Sequence, residues 1–575
     1  MRPSPPRYKT FRVAAILTCA RRIFSGATWI KGEAVADSMA PAEAGRQTAG
    51  SPPAPASGQS MAALVAAGIL LSRIAGLIRQ SIFAHYLGNS DPADAFMAGF
   101  RIPNILQNLL GEGALSASFI PVYSRLLSQG DDETADLVAW AVGSILAMLT
   151  GVLVLIGVAA APYLIDVIAP GFHGAKRELT VTLVRILFPG TGLLVISAWC
   201  LGVLNSHHRF FASYTAPVAW NIAIIATLIF YGPRHGQQRL AIDVAWGAVV
   251  GAGLQIAVQW PQTMALMRRF RLNLSRTATA LRAVFSNFVP VVTGRGVVQL
   301  SSYIDNLLAS LLPTGAVAAL NYAQILYILP VSLFGMSVAA AELPTMARAM
   351  GTTDQVAAAL RARLNAGLRQ ISFLVVPSAA AFLFLGDVIA GAIFQSGQFS
   401  HRDALYVWAV LAGSAVGLLA VTMGRLYSSA FYALWDTRTP LKFAVIRVTL
   451  TFILGYLCAI PLPPILGIAQ RWGVAGLTAS AGIAGWVEFT MLRRALNRRI
   501  GTTGLSATFV MQLWSMALAA SAAGFVVKVA IAGAGPRLIG MAVIPIFGAI
   551  YLGLAHLLGL PELRQLSTRA RSLFR

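Results

Sequence analysis

The sequence predicts an all-α polytopic membrane protein of about fourteen transmembrane helices, arranged as two six-helix lobes followed by two C-terminal helices. Three observations lead there. Hydrophobic residues make up 57% of the 575 positions and charged residues 11%, with a mean hydropathy of +0.69, outside the usual balance of water-soluble domains. The apolar residues come in blocks of about 20 to 30, each long enough at 1.5 Å per residue to cross a hydrocarbon core of roughly 30 Å. The charges fall mostly between those blocks.

Residues 1–60 stand apart. They are rich in Pro, Ala, Ser and Gly, include the run SPPAPASGQS at 51–60, and read as a disordered leader or a misassigned start. The stretch FRVAAILTCARRIF at 11–24 has the faint look of a signal or transit segment, its short apolar part interrupted by Arg21 and Arg22. Met39 or Met61 serves equally well as a start.

From Met61 onward the candidate helices are 62–87, 94–127, 136–169, 178–205, 209–231, 240–268, 280–312, 315–349, 358–394, 403–433, 439–460, 473–498, 506–532 and 537–558. Residues 61–275 form the expected N-terminal lobe, 276–500 the C-terminal lobe, and 501–575 the last two helices with a basic tail. The longer spans exceed what a bilayer needs, so those helices should tilt or project beyond it.

The formal net charge of +23 would suggest nucleic acid in a soluble protein, but no nucleic-acid module accompanies it. Short basic loops flanking apolar spans are what orientation in a membrane requires. With both termini in the cytoplasm, RRFRLNLSR at 268–276, the Arg361, Arg363 and Arg369 group, RRALNRR at 493–499 and the tail residues Arg564, Arg569, Arg571 and Arg575 are all inside. The opposite loops are poorer in charge, with the Arg234 and Arg239 loop the poorest fit to the rule. The three cysteines, Cys19, Cys200 and Cys458, are widely spaced and imply no disulfide framework.

A faint internal repeat joins GALSASFIPVYSRLL at 113–127 to MSVAAAELPTMARAM at 336–350, around Pro121 and Pro344. Each would close the second helix of a six-helix unit, and parallel repeats of this kind place a substrate path between two halves.

The function classes the residues exclude narrow the field. No P-loop, GxSxG nucleophile elbow or HExxH zinc motif is present, so no enzyme, cofactor or metal site is expected. What remains is intramembrane polarity, which is expensive in lipid and usually faces a cavity, a partner or the interface. Arg73 lies about 18 Å along its helix from Met61, near mid-bilayer, and Arg79 follows about 120° round the same helix, beyond Gly76. In the next span Asp94, Arg101, Asn108 and Glu112 recur at spacings that put them on one stripe, with Asn104 beside it and a bend at Pro103. That stripe is either charge neutralisation for packing or the wall of a hydrophilic cavity. Arg295 sits between Gly294 and Gly296, about 20 Å past Arg282 and so deep in the bilayer, and Asp305 further on needs a partner from another helix. Arg425 stands ahead of FYALWDTRTPLK at 431–442, a polar turn at the cytoplasmic face.

LSRIAGLIRQSIFAHYLG at 71–88, ADAFMAGFRIPNILQNLLGEGALSASFIPVY at 93–123, LPVSLFG and FYALWDTRTP together resemble the MurJ (MviN) family, over essentially everything after residue 60. The resemblance implies a bacterial inner-membrane protein of the multidrug/oligosaccharidyl-lipid/polysaccharide exporter superfamily that flips lipid II outward for peptidoglycan synthesis. Arg73 and Arg79 match the family's cavity arginines, and Asp94, Asn104 and Glu112 its second-helix motif. Gln80, Gln107, Ile325 and Ile328 stand where members commonly carry charge, and Arg295 and Arg425 are the candidates to replace the arginines missing at Gln107 and Ile325. The expected partners are lipid II or a similar polyprenyl-pyrophosphate substrate, membrane lipids and, left open, a coupling ion, for a protein acting as a monomer. The rival readings are a flippase for another polyprenyl-linked oligosaccharide, a multidrug exporter, and a non-transporting scaffold for cell-wall enzymes.

Overall fold

The computed structural model describes residues 57–267, 282, 284, 286, 288, 292, 303–348 and 352–564, and of residues 57–67, 69, 112 and 353 the backbone alone. The expected leader up to residue 56, most of the span at 280–312 and the end of the basic tail lie outside the described residues.

The helices follow in order: α1 (Ser57–Leu87), α2 (Asp91–Leu110), α3 (Glu112–Ser128), α4 (Asp132–Ile168), α5 (Gly174–Ser206), α6 (Phe210–Tyr231) and α7 (Gln237–Leu266). Then come α8 (Ala316–Pro330), a π-helical turn (Val331–Met336), α9 (Ser337–Ala347), α10 (Thr353–Phe384), α11 (Gly386–Phe394), α12 (His401–Ala433), α13 (Arg438–Ala459), the short α14 (Leu462–Ile465), α15 (Gly473–Ile500), α16 (Ala507–Ala530) and α17 (Pro536–Leu557). Among the described residues there is no strand, and Ser396 and Phe399 form an isolated bridge. Ten described helices are long and apolar enough to cross a membrane, the pattern of a multi-pass membrane protein.

Local chemistry explains the ends. Ser90 accepts from the Ala93 N–H, with Pro92 in the first turn of α2; Asp131 caps α4 through Thr134. Thr352 with Gln355 and Ser400 with Asp403 form capping boxes at α10 and α12. Prolines 103, 162, 189, 217 and 377 sit inside helices, which neighbouring helices make tolerable in a membrane protein.

Three expected single helices are interrupted. The span at 94–127 breaks at Gly111 between α2 and α3, and the span at 315–349 passes through the π turn between α8 and α9. The matched segments around Pro121 and Pro344 therefore occupy corresponding places, each following an interruption. The span at 358–394 is likewise two helices, α10 and α11.

Helices α2 to α7 pack chiefly on one another around α5, and α8 to α17 chiefly around α12 and α15. Helix α2 also packs on α8, joining the groups. Small residues set the closest contacts, as expected where lipid supplies no hydrophobic drive between helices. A Cβ added at Gly417 would stand 2.4 Å from the Gly482 Cα, so the α12 and α15 backbones touch there. Large apolar side chains such as Leu155, Val250, Phe525, Val526 and Met541 instead face outward, a surface that suits lipid and would be an aggregation hazard in water.

Candidate functional site

One end of the two helical groups is held together by polar contacts. Asp94, in the first turn of α2, is buried to 1% exposure. Its carboxylate accepts the backbone N–H of Gly315 at 2.7 Å and of Ala318 at 2.8 Å, so it caps the first turn of α8 from a different helix. The partial positive charge at a helix N-terminus favours an anion there. The Lys176 ammonium donates to the same carboxylate at 2.6 Å and lies 2.8 Å from Asp91. These donors offset the large cost of burying a carboxylate. Around them Tyr322 donates to the Gly88 carbonyl at 3.0 Å, Asn89 to Asp403 at 3.2 Å, and Thr314 to Asp91 at 2.8 Å.

Deeper in, the Arg101 guanidinium donates to Gln324 on α8, and Tyr303 donates to the Arg101 carbonyl at 3.0 Å. Arg101 thus links α2 to the second group of helices, where a satisfied pair costs less than a lone buried charge.

Within the first group lies a cavity of about 980 Å³ between α1, α2, α3, α5, α6 and α7. Arg79, Asn104, Gln107, Asn108, Asn221 and Gln255 line it beside Phe100 and Trp220. Among the described residues Arg79 is the charged side chain on this wall. Its guanidinium lies 4.7 Å from the Trp220 ring centroid, a cation–π contact strengthened by desolvation. The Trp220 indole donates to the Ala248 carbonyl at 3.0 Å, which fixes the ring. Across the cavity Gln255 donates to Ser197 at 2.8 Å, and Ser197 to Gln259 at 2.6 Å.

A second cavity of about 290 Å³ lies in the other group, lined by Asp305, Gln324, Tyr327, Arg425, Arg447 and Thr451 among others. Arg447 is 3.3 Å from Glu488. Two arginines and two carboxylates thus cluster here, so the positive charge is largely compensated, whereas no described carboxylate stands beside Arg79.

The sequence-predicted residues therefore separate. Arg79 and Asn104 share the larger cavity, Arg425 and Asp305 the smaller. Asp94 ties the two groups together at one end, and Arg101 does so further in. Arg73 is exposed and does not join the described lining of either cavity. The Glu112 side chain and Arg295 lie outside the described residues. Sequence reasoning passed over Lys176, Arg447, Glu488, Trp220, Asn221 and Gln255. A charge inside an apolar span was the available signal for Arg447 and Glu488; the cavity amides carried none. Among the described residues no group of three or more His, Cys, Asp or Glu side chains is arranged to hold a metal ion.

The fold and the polar cavity define a multi-helix membrane protein with a polar interior. The structure is similar to an inward-facing multidrug resistance MATE family transporter of the MOP superfamily, with a TM-score of 0.59 at 15% identity over 77% of this chain and 100% of that one. It is also similar to a lipid II flippase MurJ in an inward closed conformation, with a TM-score of 0.68 at 23% identity over 89% of this chain and 100% of that one. Residues 83–544 match the family model described as lipid II flippase MurJ. The lipid II flippase MurJ of Burkholderia cenocepacia is 33% identical over 437 residues, 75% of this chain and 82% of that protein. A probable lipid II flippase MurJ of Rhizobium meliloti is 32% identical over 75% of this chain and 79% of its own length. The chain belongs to the MurJ lipid II flippase family. Arg73 and Arg79 precede the stretch matched by the family model.

Proposed function

We propose that this protein translocates lipid II from the cytoplasmic to the periplasmic face of the bacterial inner membrane, for cell-wall synthesis, by alternating access between residues 61–275 and 276–500. The observation that carries the mechanism is the pairing of a large polar cavity, with Arg79 on its wall, with a far end sealed by Asp94 across α8. With both termini cytoplasmic, α1 runs outward, so the sealed end is periplasmic and the form described is closed to the outside. Outward opening must break the Asp94 contacts and form others on the cytoplasmic side.

Arginine suits a pyrophosphate because its planar fork donates paired hydrogen bonds, which a low-dielectric wall strengthens. The same charge disfavours the cationic drugs a multidrug exporter would carry. The membrane potential, negative inside, assists outward movement of an anionic head group by about 2.3 kcal/mol per charge per 100 mV.

The test is depletion of the native lipid II flippase in a bacterial host supplied with this chain as wild type, Arg79→Ala or Arg73→Ala. Lipid II exposed outside is scored at matched membrane levels. Rescue by wild type and loss with Arg79→Ala is the expected result. Failure of well-inserted wild type in a host where a close relative rescues would overturn the assignment.

A further inference from the structure

Among the described residues the larger cavity is lined mainly by amides rather than charges, and one of its buried polar atoms has no partner. Asn221 is 4% exposed. Its Nδ2 donates to the Pro217 carbonyl one turn earlier at 2.9 Å, which settles which way the amide points. Its Oδ1 is then left as a buried acceptor without a donor, on the wall of the cavity. Leaving such an atom unpaired is costly, and the arrangement favours a ligand that brings a neutral donor, which a phosphate oxygen does not.

The space in front of that oxygen is open because residue 76 is a glycine. A Cβ there would sit 3.9 Å from Asn221 Oδ1. Phe100 and Trp220 add aromatic surface, and Asn104, Asn108 and Gln255 add further amides. Side-chain amides beside aromatic rings, with the Arg79 guanidinium at hand, suit a polyhydroxylated, N-acylated ligand: hydroxyls and amide N–H groups pair with Asn and Gln, and C–H faces pack on the rings.

We propose that this cavity is a saccharide subsite, in which Asn221 Oδ1 accepts a hydroxyl or acetamido N–H of the sugar while Arg79 holds the neighbouring diphosphate. The inference rests on the functional reading above and assigns a sugar-reading role to residues outside the charged set.

The experiment measures binding of two probes to the purified full chain: lipid II, and the same polyprenyl diphosphate without sugar or peptide. Wild type should prefer lipid II. Asn221→Leu should weaken lipid II binding about tenfold or more and leave the bare diphosphate within about twofold, whereas Arg79→Ala should weaken both. Gly76→Ala is the second variant, since it keeps Asn221 and sets a methyl group against its oxygen at ordinary contact distance. It should weaken lipid II severalfold and spare the bare diphosphate. Equal effects of Asn221→Leu and Gly76→Ala on the two probes, or none on either, would overturn the subsite while leaving the flippase reading intact. Wild type that binds neither probe would overturn the flippase reading itself, and the subsite with it.

Discussion

Asp94 on α2 closes the first turn of α8 by accepting the Ala318 backbone N–H at 2.8 Å. An anion supplied from one helix to the N-terminus of another is a contact that forms or breaks as a unit when the two move apart. Asp94→Ala leaves the Lys176 ammonium without one of its two carboxylates and α8 without its cap. Removing one partner of a buried pair costs about 3–5 kcal/mol. The variant should therefore melt at a lower temperature in detergent, and a cysteine placed beside Gly315 should react faster with an impermeant thiol reagent added from outside. An unchanged reaction rate would show that Asp94 does not hold the outer end shut.

Among the described residues Arg79 differs from the other deep arginines in having an aromatic face rather than a carboxylate nearby. Arg79→Lys keeps the charge and loses the fork and the planar stacking. Transport should fall by about tenfold with Lys and further with Ala, with membrane levels unchanged. Equal activity of the lysine variant would mean that charge alone suffices.

Arg447 and Glu488 lie 3.3 Å apart beside the smaller cavity. Arg447→Met alone should destabilise the protein by about 3 kcal/mol, because Glu488 and Asp305 lose compensating charge. Adding Glu488→Gln should recover part of that loss. A thermal-shift double-mutant cycle measures the coupling directly, and strict additivity would deny that the pair interacts.

Asp436 in the turn between α12 and α13 accepts the Thr439 N–H at 3.0 Å and its hydroxyl at 2.7 Å, and meets Arg499 at 2.7 Å. The Thr439 hydrogen bonds first, and then Arg499, hold its carboxyl down from 3.8 to about 2. A depressed carboxylate contributes stability above its ordinary pKa and loses it as pH falls through the folded value. The difference in melting temperature between wild type and Asp436→Asn should therefore be constant at neutral pH and shrink between about pH 4 and pH 2, with a small salt-sensitive amplitude because the Arg499 partner is 46% exposed. A difference that persists undiminished at pH 2 would place the effect elsewhere.

Apolar block length made most of the helices legible, because a chain in lipid must satisfy its backbone internally. The break at Val331–Met336 was not legible, since mostly apolar residues continue through it, whereas Gly111 and Gly113 around Glu112 were a breaker signal that went unread. Arg79 and Asn104 could be singled out because a polar side chain deep in a bilayer is conspicuous. Asn221 and Gln255 could not, because an amide in a helix is equally able to bond its own backbone, as the Asn221 nitrogen does with Pro217. Lys176 was not legible for a different reason: a lysine just outside an apolar span looks the same whether it orients the chain or reaches inward for Asp94. Charge that is compensated across helices, as between Arg447 and Glu488, requires the fold before it can be told from charge that awaits a ligand.

The touching backbones at Gly417 and Gly482 bear finally on heredity. Every single-base missense change in a glycine codon brings a side chain, and at Gly417 even the smallest would have to displace the facing helix. The two codons are therefore expected to be read almost without variation in living populations, not for any contact with cargo but because no allele with a side chain there leaves the neighbouring helix where it is.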